Sequence, residues 1–165
     1  MFLLKSSAAV VLVVGLGNAF AQVVVPPPTP YGAPITLEAA KRVADAARGE
    51  AQRNNWSMSI AIVDPAGMLV YFEKMDGVQN ASVDVAVDKA RSSALFKRPT
   101  KVFMDAVAKG GDGIRFLALR GVVPLEGGLP LIVDGKIIGA IGLSGGAGEQ
   151  DAQSAKMGVE ALRKP

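Results

Sequence analysis

Lys89 lies in line with Ala86 and Ser93 at helical spacing, an ammonium on a face whose other members are small. A lysine so placed either snorkels to water or faces a cavity, where burial and neighbours can tune it as an acid, a base or an anion anchor. Its position matters more because the 165 residues contain no histidine and no cysteine. That absence removes the usual zinc and haem ligands, the thiolate nucleophile and the ordinary general base. Any chemistry falls to carboxylates, lysines, arginines, hydroxyls, thioethers, backbone amides or a cofactor.

Other groups compete for attention. Met75-Asp76-Gly77 closes an expected strand, at an edge where a thioether and a carboxylate can face one site, although methionine also serves as core filler. Asp84, Asp88 and Arg91 share the helix of Lys89. Lys97, Arg98 and Lys101 cluster around Pro99 and Thr100, either as a solvated face or as a clamp for a carboxylate or another anion. Gly142-Leu143-Ser144-Gly145-Gly146 matches the G-x-S-x-G nucleophile elbow letter for letter. The elbow works only when a histidine takes the serine proton, so here the match is a decoy. The same glycines, running to Gly148, lead into a helix and invite a phosphate-cradle reading. The dinucleotide and Walker patterns are missing, and Glu149 and Asp151 in the first turn would complement the helix dipole themselves. A tight strand-to-helix turn is the plainer expectation, and close backbone approach to a ligand is the alternative.

The elements that must position these groups follow from periodicity and turn chemistry. Thr36 is placed to cap a helix whose Ala40, Val43, Ala44, Ala47 and Ala51 recur on one face. Ser57 to Val63 and Met68 to Lys74 read as a hairpin around the type I turn Asp64-Pro65-Ala66-Gly67. A helix over Ser82 to Phe96 is expected to bury Val83, Val87, Ala90 and Ala94, and a shorter one spans Lys101 to Lys109. Arg115 to Leu119 reads as a short strand. Leu129 to Val133 and Lys136 to Ser144 form a second hairpin around Asp134-Gly135. The last strand is apolar on both faces, which places it centrally in a sheet covered on both sides. A final helix from Glu149 to Leu162 would bury Ala152, Ala155, Val159 and Leu162. Tight turns make neighbouring strands antiparallel, so the sum is an α+β domain with about five antiparallel strands flanked by helices.

The N-terminus reads as an export signal over residues 1–21. Lys5 precedes an apolar run from Ala8 to Leu16, and Ala19-Phe20-Ala21 supplies a small-residue cleavage site. The run is shorter than the about 20 residues a membrane span needs, so no stable anchor is expected after cleavage. Periplasmic or secreted localisation follows, in a compartment where this cysteine-free fold holds without disulfides. Residues 22–34 read as a proline-rich tether of polyproline II character, a spacer or an arm to a neighbouring subunit. Residues 35–165 form the domain. Losing Lys5 lowers the formal charge of +3 by one, a balance that points to no nucleic-acid partner. Apolar residues make up 50% of the chain but aromatics only 5%, so small aliphatic side chains and glycine must build a closely packed interior. The high apolar fraction also argues for a homo-oligomer.

Taken in order, several segments resemble the GlcG/HbpS-like family, which also appears as the C-terminal domain of PduO-type proteins. They are Val63-Asp64-Pro65-Ala66-Gly67, Met75-Asp76-Gly77, Ala86 with Lys89-Ala90, Phe96 with Pro99-Thr100, Gly127-Gly128-Leu129-Pro130, Gly139-Ala140-Ile141-Gly142, Ser144-Gly145-Gly146, and Gln150-Asp151 with Ala155. The resemblance covers about Ile35 to Leu162. It implies a profilin-like α/β/α sandwich, usually a homo-oligomer, with a small pocket near the second long helix and the glycine loop. It further implies haem as a cofactor, since several relatives bind it, and it points for others to glycolate or diol utilisation. This sequence departs from the haem pattern wherever that pattern uses histidine. Iron would need Met75, Met104, Tyr71, Lys89 or Thr100, or no protein ligand, with Arg91, Lys97 or Arg98 meeting the propionates.

Three functions therefore stand side by side. The first is an exported binding protein for haem or a related planar acidic ligand, in haem or redox sensing or handling. The second is an enzyme or accessory protein acting on a small hydroxy or oxo carboxylate, with Lys89 as acid-base group or anchor. The third is an oligomeric assembly module. The small-molecule site would draw on Met75, Asp76, Lys89, Arg91, Lys97, Arg98, Thr100, Ser144, Gly145 and Gly146.

Overall fold

The structure, a computed structural model, describes residues 27–162. The signal segment read over residues 1–21 and the first part of the tether lie outside the described residues.

Helix α1 (Leu37–Arg53) starts where the Thr36 hydroxyl accepts the Ala39 amide at 3.2 Å, and it buries Ala40, Val43, Ala44, Ala47 and Ala51 as their spacing predicts. Strands β1 (Ser59–Val63) and β2 (Leu69–Lys74) form the first hairpin. The Asp64 carboxylate ties its turn by accepting the amides of Ala66 and Met68, each at 2.9 Å. Helix α2 (Ser82–Phe96) and helix α3 (Lys101–Ala108) follow. Strands β3 (Gly128–Val133) and β4 (Lys136–Ser144) meet at Asp134-Gly135, both at positive φ as a two-residue hairpin turn demands. Helix α4 (Gly148–Ala161) completes the described chain.

The sheet is antiparallel throughout, in the order β2-β1-β4-β3. β4 is therefore central, as its two apolar faces require. Helices α1 and α4 cover one face and α2 the other, giving the α/β/α sandwich. Alternation along β1 sorts the two cores. Ile60 and Ile62 join Val43, Ile141 and Leu143 under α1 and α4, whereas Ala61 and Val63 join Ala86, Ala90, Ala94 and Ala140 under α2. The second core is almost entirely alanine, so α2 sits close to the sheet.

Two sequence expectations need correction. The fifth strand does not form, because Gly111–Ala118 winds into a 3-10 helix instead. Gly110 and Gly111, both at positive φ, turn the chain there, and the Phe116 ring packs edge-on against Phe103 at 5.2 Å, as a helical winding allows. The buried face of α2 is also rotated from the expected valine stripe. Ala86, Lys89, Ala90 and Ser93 are buried while Val83 and Val87 are only partly covered, because only small side chains fit against the glycines of β4.

The end of the tether is not free chain. Ile137 donates its amide to Pro30 O at 2.9 Å, Gly32 donates to Ile137 O at 2.8 Å, and the Tyr31 hydroxyl donates to Ala94 O at 3.0 Å. Residues 30–32 thus strap β4 to the end of α2 within their own domain.

Candidate functional site

The site begins with glycines that let elements touch. A Cβ on Gly142 would overlap Ala86 O and Ala90 N, so α2 lies directly on the backbone of β4. This approach carries Lys89 inward at the end of β4, where its side chain is 3% exposed. Its Nζ donates to Leu143 O at 2.9 Å and to Asp151 Oδ2 at 2.7 Å. The other carboxylate oxygen, Asp151 Oδ1, accepts the Gly146 amide at 3.0 Å. One buried ion pair thereby ties α2, the last residues of β4, the glycine loop and the first turn of α4. Gly127, at φ 121°, closes over the pair, and a Cβ there would sit 3.0 Å from Lys89 Nζ.

Burial pushes the Asp151 carboxyl above the usual carboxylate range, while the Lys89 hydrogen bond and the amides of Gly146 and Gly145 pull it back. With two acceptors engaged, the Lys89 ammonium has one further N–H to spend. Lys89 reaches the wall of a cleft of about 310 Å³ that Val85, Met104, Leu125, Glu126 and Ser144 also line. Its lining combines apolar side chains with an ammonium, a hydroxyl and carboxylates. The Ser144 hydroxyl donates to Ser82 Oγ at 3.2 Å, so its neighbour is a second hydroxyl and not a base, in keeping with the decoy reading of the elbow. Among the described residues no group of three or more carboxylates is placed to hold a metal.

The structure brings Lys89, Ser144 and Gly146 together at this cleft, with Gly145 in the same loop, and disperses the others. Met75 and Asp76 line a separate hollow of about 340 Å³ with Arg48 and Glu73. Arg91 donates to Gly67 O at 3.1 Å and faces a further hollow beside Arg120. Lys97 lies over the Tyr31 ring at 4.1 Å, and Arg98 donates to Phe96 O at 2.9 Å. The buried Thr100 hydroxyl accepts the Gly128 amide at 3.0 Å, a tie between α3 and β3. Lys101 pairs with Asp105, and the three basic groups have no common focus.

Asp151 is the residue that sequence reading missed. Its first-turn position predicts a carboxylate that complements the helix dipole, and the structure buries it against Lys89. Its spacing was the available signal, because Asp151, Ala155 and Gly158 fall at i, i+4 and i+7 on the covered face of α4. Burial of Ala155 is as expected, whereas Ala152, Val159 and Leu162 are only partly covered.

Comparison with known proteins agrees with this fold. Residues 35–160 match the family described as haem degrading protein HbpS-like. The chain is 40% identical over 110 residues to protein GlcG of Escherichia coli, covering 67% of this chain and 81% of that one. A solved double mutant of HbpS from Streptomyces reticuli superposes with a TM-score of 0.73 at 28% identity, covering 94% of this chain and 99% of the other. A crystal structure of a PduOC complex with haem gives 0.70 at 28% identity, covering 78% and 94%.

Proposed function

This chain belongs to the HbpS-like family, and from that premise we propose that it is a haem-binding protein whose docking face is the Lys89 cleft. The observation that carries the reading is the likeness to PduOC, solved in complex with haem, over a fold that here holds a cleft lined in part by apolar side chains. The chain's own donors limit how the group fits. Lys89 is engaged as a hydrogen-bond donor, Thr100 is buried in a backbone contact, and Tyr71 donates to Glu73 at 3.1 Å. Met75 packs against the core under α1. Met104 is the one thioether lining the cleft, so a porphyrin would rest against Val85, Met104 and Leu125 with the Met104 sulfur as the candidate ligand. When bound, haem supplies a redox-active iron, suited to sensing or handling.

Titration of the purified protein with haem is expected to saturate at about one per chain with a shifted Soret band. Met104→Leu should change the band while weakening binding by no more than roughly tenfold, because porphyrin contact carries most of the affinity. A featureless response that never saturates removes the proposal.

The unspent N–H of Lys89 favours a second reading, a small hydroxy or oxo carboxylate in the same cleft. In that case glycolate would raise the melting temperature of the parent and not of Lys89→Met, and haem would not compete.

Export and self-association complete the proposal. The segment over residues 1–21 supports export, which a mature protein beginning at Gln22 would verify. Ile114, Leu117 and Leu119 are exposed apolar residues on the 3-10 helix and just after it, which supports a homo-oligomer built on that segment. Leu117→Asp is expected to lower the mass measured by light scattering to that of a smaller species. An unchanged mass would move the interface elsewhere.

A further inference from the structure

A second cleft, of about 370 Å³, adjoins the first; the two share Gln79 and Gly146, but neither Lys89 nor Asp151 lines the second. Asn55, Trp56 and Ser57 supply one wall from the segment joining α1 to β1, Gln79 another from the segment after β2, and Gln150 a third from α4. Gly77, Gly145 and Gly146 bring backbone to its surface. Gly145, at φ 154°, has no room for a side chain, since a Cβ would overlap Ser57 O.

No lysine, arginine, aspartate or glutamate lines this cleft. Its polar groups are amides and a hydroxyl, each able to donate or accept. Among the described residues, no hydrogen bond engages the side chains of Asn55, Trp56, Ser57 or Gln79. Gln150 is different, because its Oε1 accepts the Ala147 amide at 2.9 Å. That bond fixes the amide orientation and leaves the Nε2 donors unspent. Trp56 is half-buried against the core, so its ring is held in place as a rigid apolar platform.

This combination selects by chemistry. An ionic ligand would find no counter-charge and would lose its hydration without return. A purely apolar ligand would desolvate amides that it cannot pair. A polyol satisfies both demands, because its hydroxyls donate and accept while its C–H face packs on an indole whose ring face is electron-rich. We propose that this cleft binds a neutral polyhydroxylated small molecule of the monosaccharide or alditol class. The volume lies within the range of small-ligand sites.

Trp56 is the only tryptophan in the chain, so its fluorescence reports this cleft directly. The purified full chain is titrated with glucose, mannitol and glycerol, with gluconate as the charged comparison. At least one neutral probe should give a saturable change, and gluconate should bind at least about tenfold more weakly. Gln150→Ala and Gln79→Ala should each weaken the neutral probe by roughly fivefold to tenfold, as loss of one or more hydrogen bonds predicts. Gln79 is exposed, so its replacement leaves the fold intact even where Gln150→Ala does not. A linear response to all three neutral probes overturns the proposal, as does equal binding of gluconate or an unchanged affinity in Gln79→Ala. Haem titration reads the Lys89 cleft, whose lining includes Gln79 but neither Trp56 nor Gln150, so a haem affinity that Gln150→Ala leaves unchanged keeps the two proposals apart.

Discussion

Asp151→Asn is expected to lower the stability of the fold by about 3 kcal/mol or more, the range for stranding one partner of a buried ion pair. The replacement keeps the shape but leaves the Lys89 ammonium, 3% exposed, with a carbonyl and an amide in place of a carboxylate. Urea denaturation of parent and variant measures the loss. A difference below about 1 kcal/mol would mean that Lys89 reaches water, since exposed pairs are worth no more than that.

The partner substitution, Lys89→Met, separates charge from packing through its pH dependence. Burial already raises the Asp151 carboxyl, and loss of the ammonium removes the strongest influence that pulls it down. A carboxyl whose folded pKa lies above its unfolded value of about 3.9 contributes stability that is complete below that value. That contribution is lost as pH rises toward the folded pKa. Lys89→Met should therefore be least damaged near pH 4 and progressively less stable toward neutrality, with a steeper slope than the parent. A variant whose deficit is constant from acid to neutral pH would show that Asp151 does not ionise alone in the core.

Gly142→Ala is the second large effect, expected to cost about 3 kcal/mol, the upper end of ordinary overpacking. The added methyl would overlap Ala86 O and Ala90 N, which are helix backbone and cannot rotate aside like a side chain. Relief requires α2 to lift from β4, which would also withdraw Lys89 from Asp151 and widen the first cleft. Haem or glycolate binding should fall together with stability. Gly49→Ala is the control of opposite sign, because its Cβ would find only Arg53 at 3.5 Å on the outer part of α1. In a helix interior that change stabilises by about 0.5–1 kcal/mol. Equal melting temperatures for the two alanine variants would refute the close helix-on-strand contact.

Much of the frame was legible because it depends on local rules. Thr36, the stripe from Ala40 to Ala51, Asp64-Pro65-Ala66-Gly67 and Asp134-Gly135 all act over a few residues, and each element forms where those rules place it. The failures are equally specific. Arg115 to Leu119 has strand-like composition, but Gly110 and Gly111 turn the chain into a 3-10 winding that packs Phe116 on the ring of Phe103. The stripe of α2 was misjudged because valine was preferred over alanine for burial. Gly142 of β4 and Gly128 of β3 bring the α2 backbone so close that only smaller side chains fit beneath it.

The candidate site shows the same division. Lys89 stood out through its small neighbours at helical spacing, and Ser144 to Gly146 through their glycines. Met75, Asp76, Arg91, Lys97 and Arg98 carried equally suggestive chemistry, yet they occupy other faces. Spacing along a chain orders groups on one element and says nothing about which elements will meet.

By itself the sequence determined the inventory: neither imidazole nor thiol, a cysteine-free interior of small residues, the two hairpins, and a central strand apolar on both faces. These follow from composition and from interactions spanning one turn or one hairpin. Tertiary structure alone decided that Lys89 would meet Asp151 across 62 residues, and that Trp56, Gln79 and Gln150 would line one uncharged cleft. Burial and counter-charge are properties of surfaces brought together, so the same lysine is a solvated cation or a buried anchor depending on which helix arrives beside it.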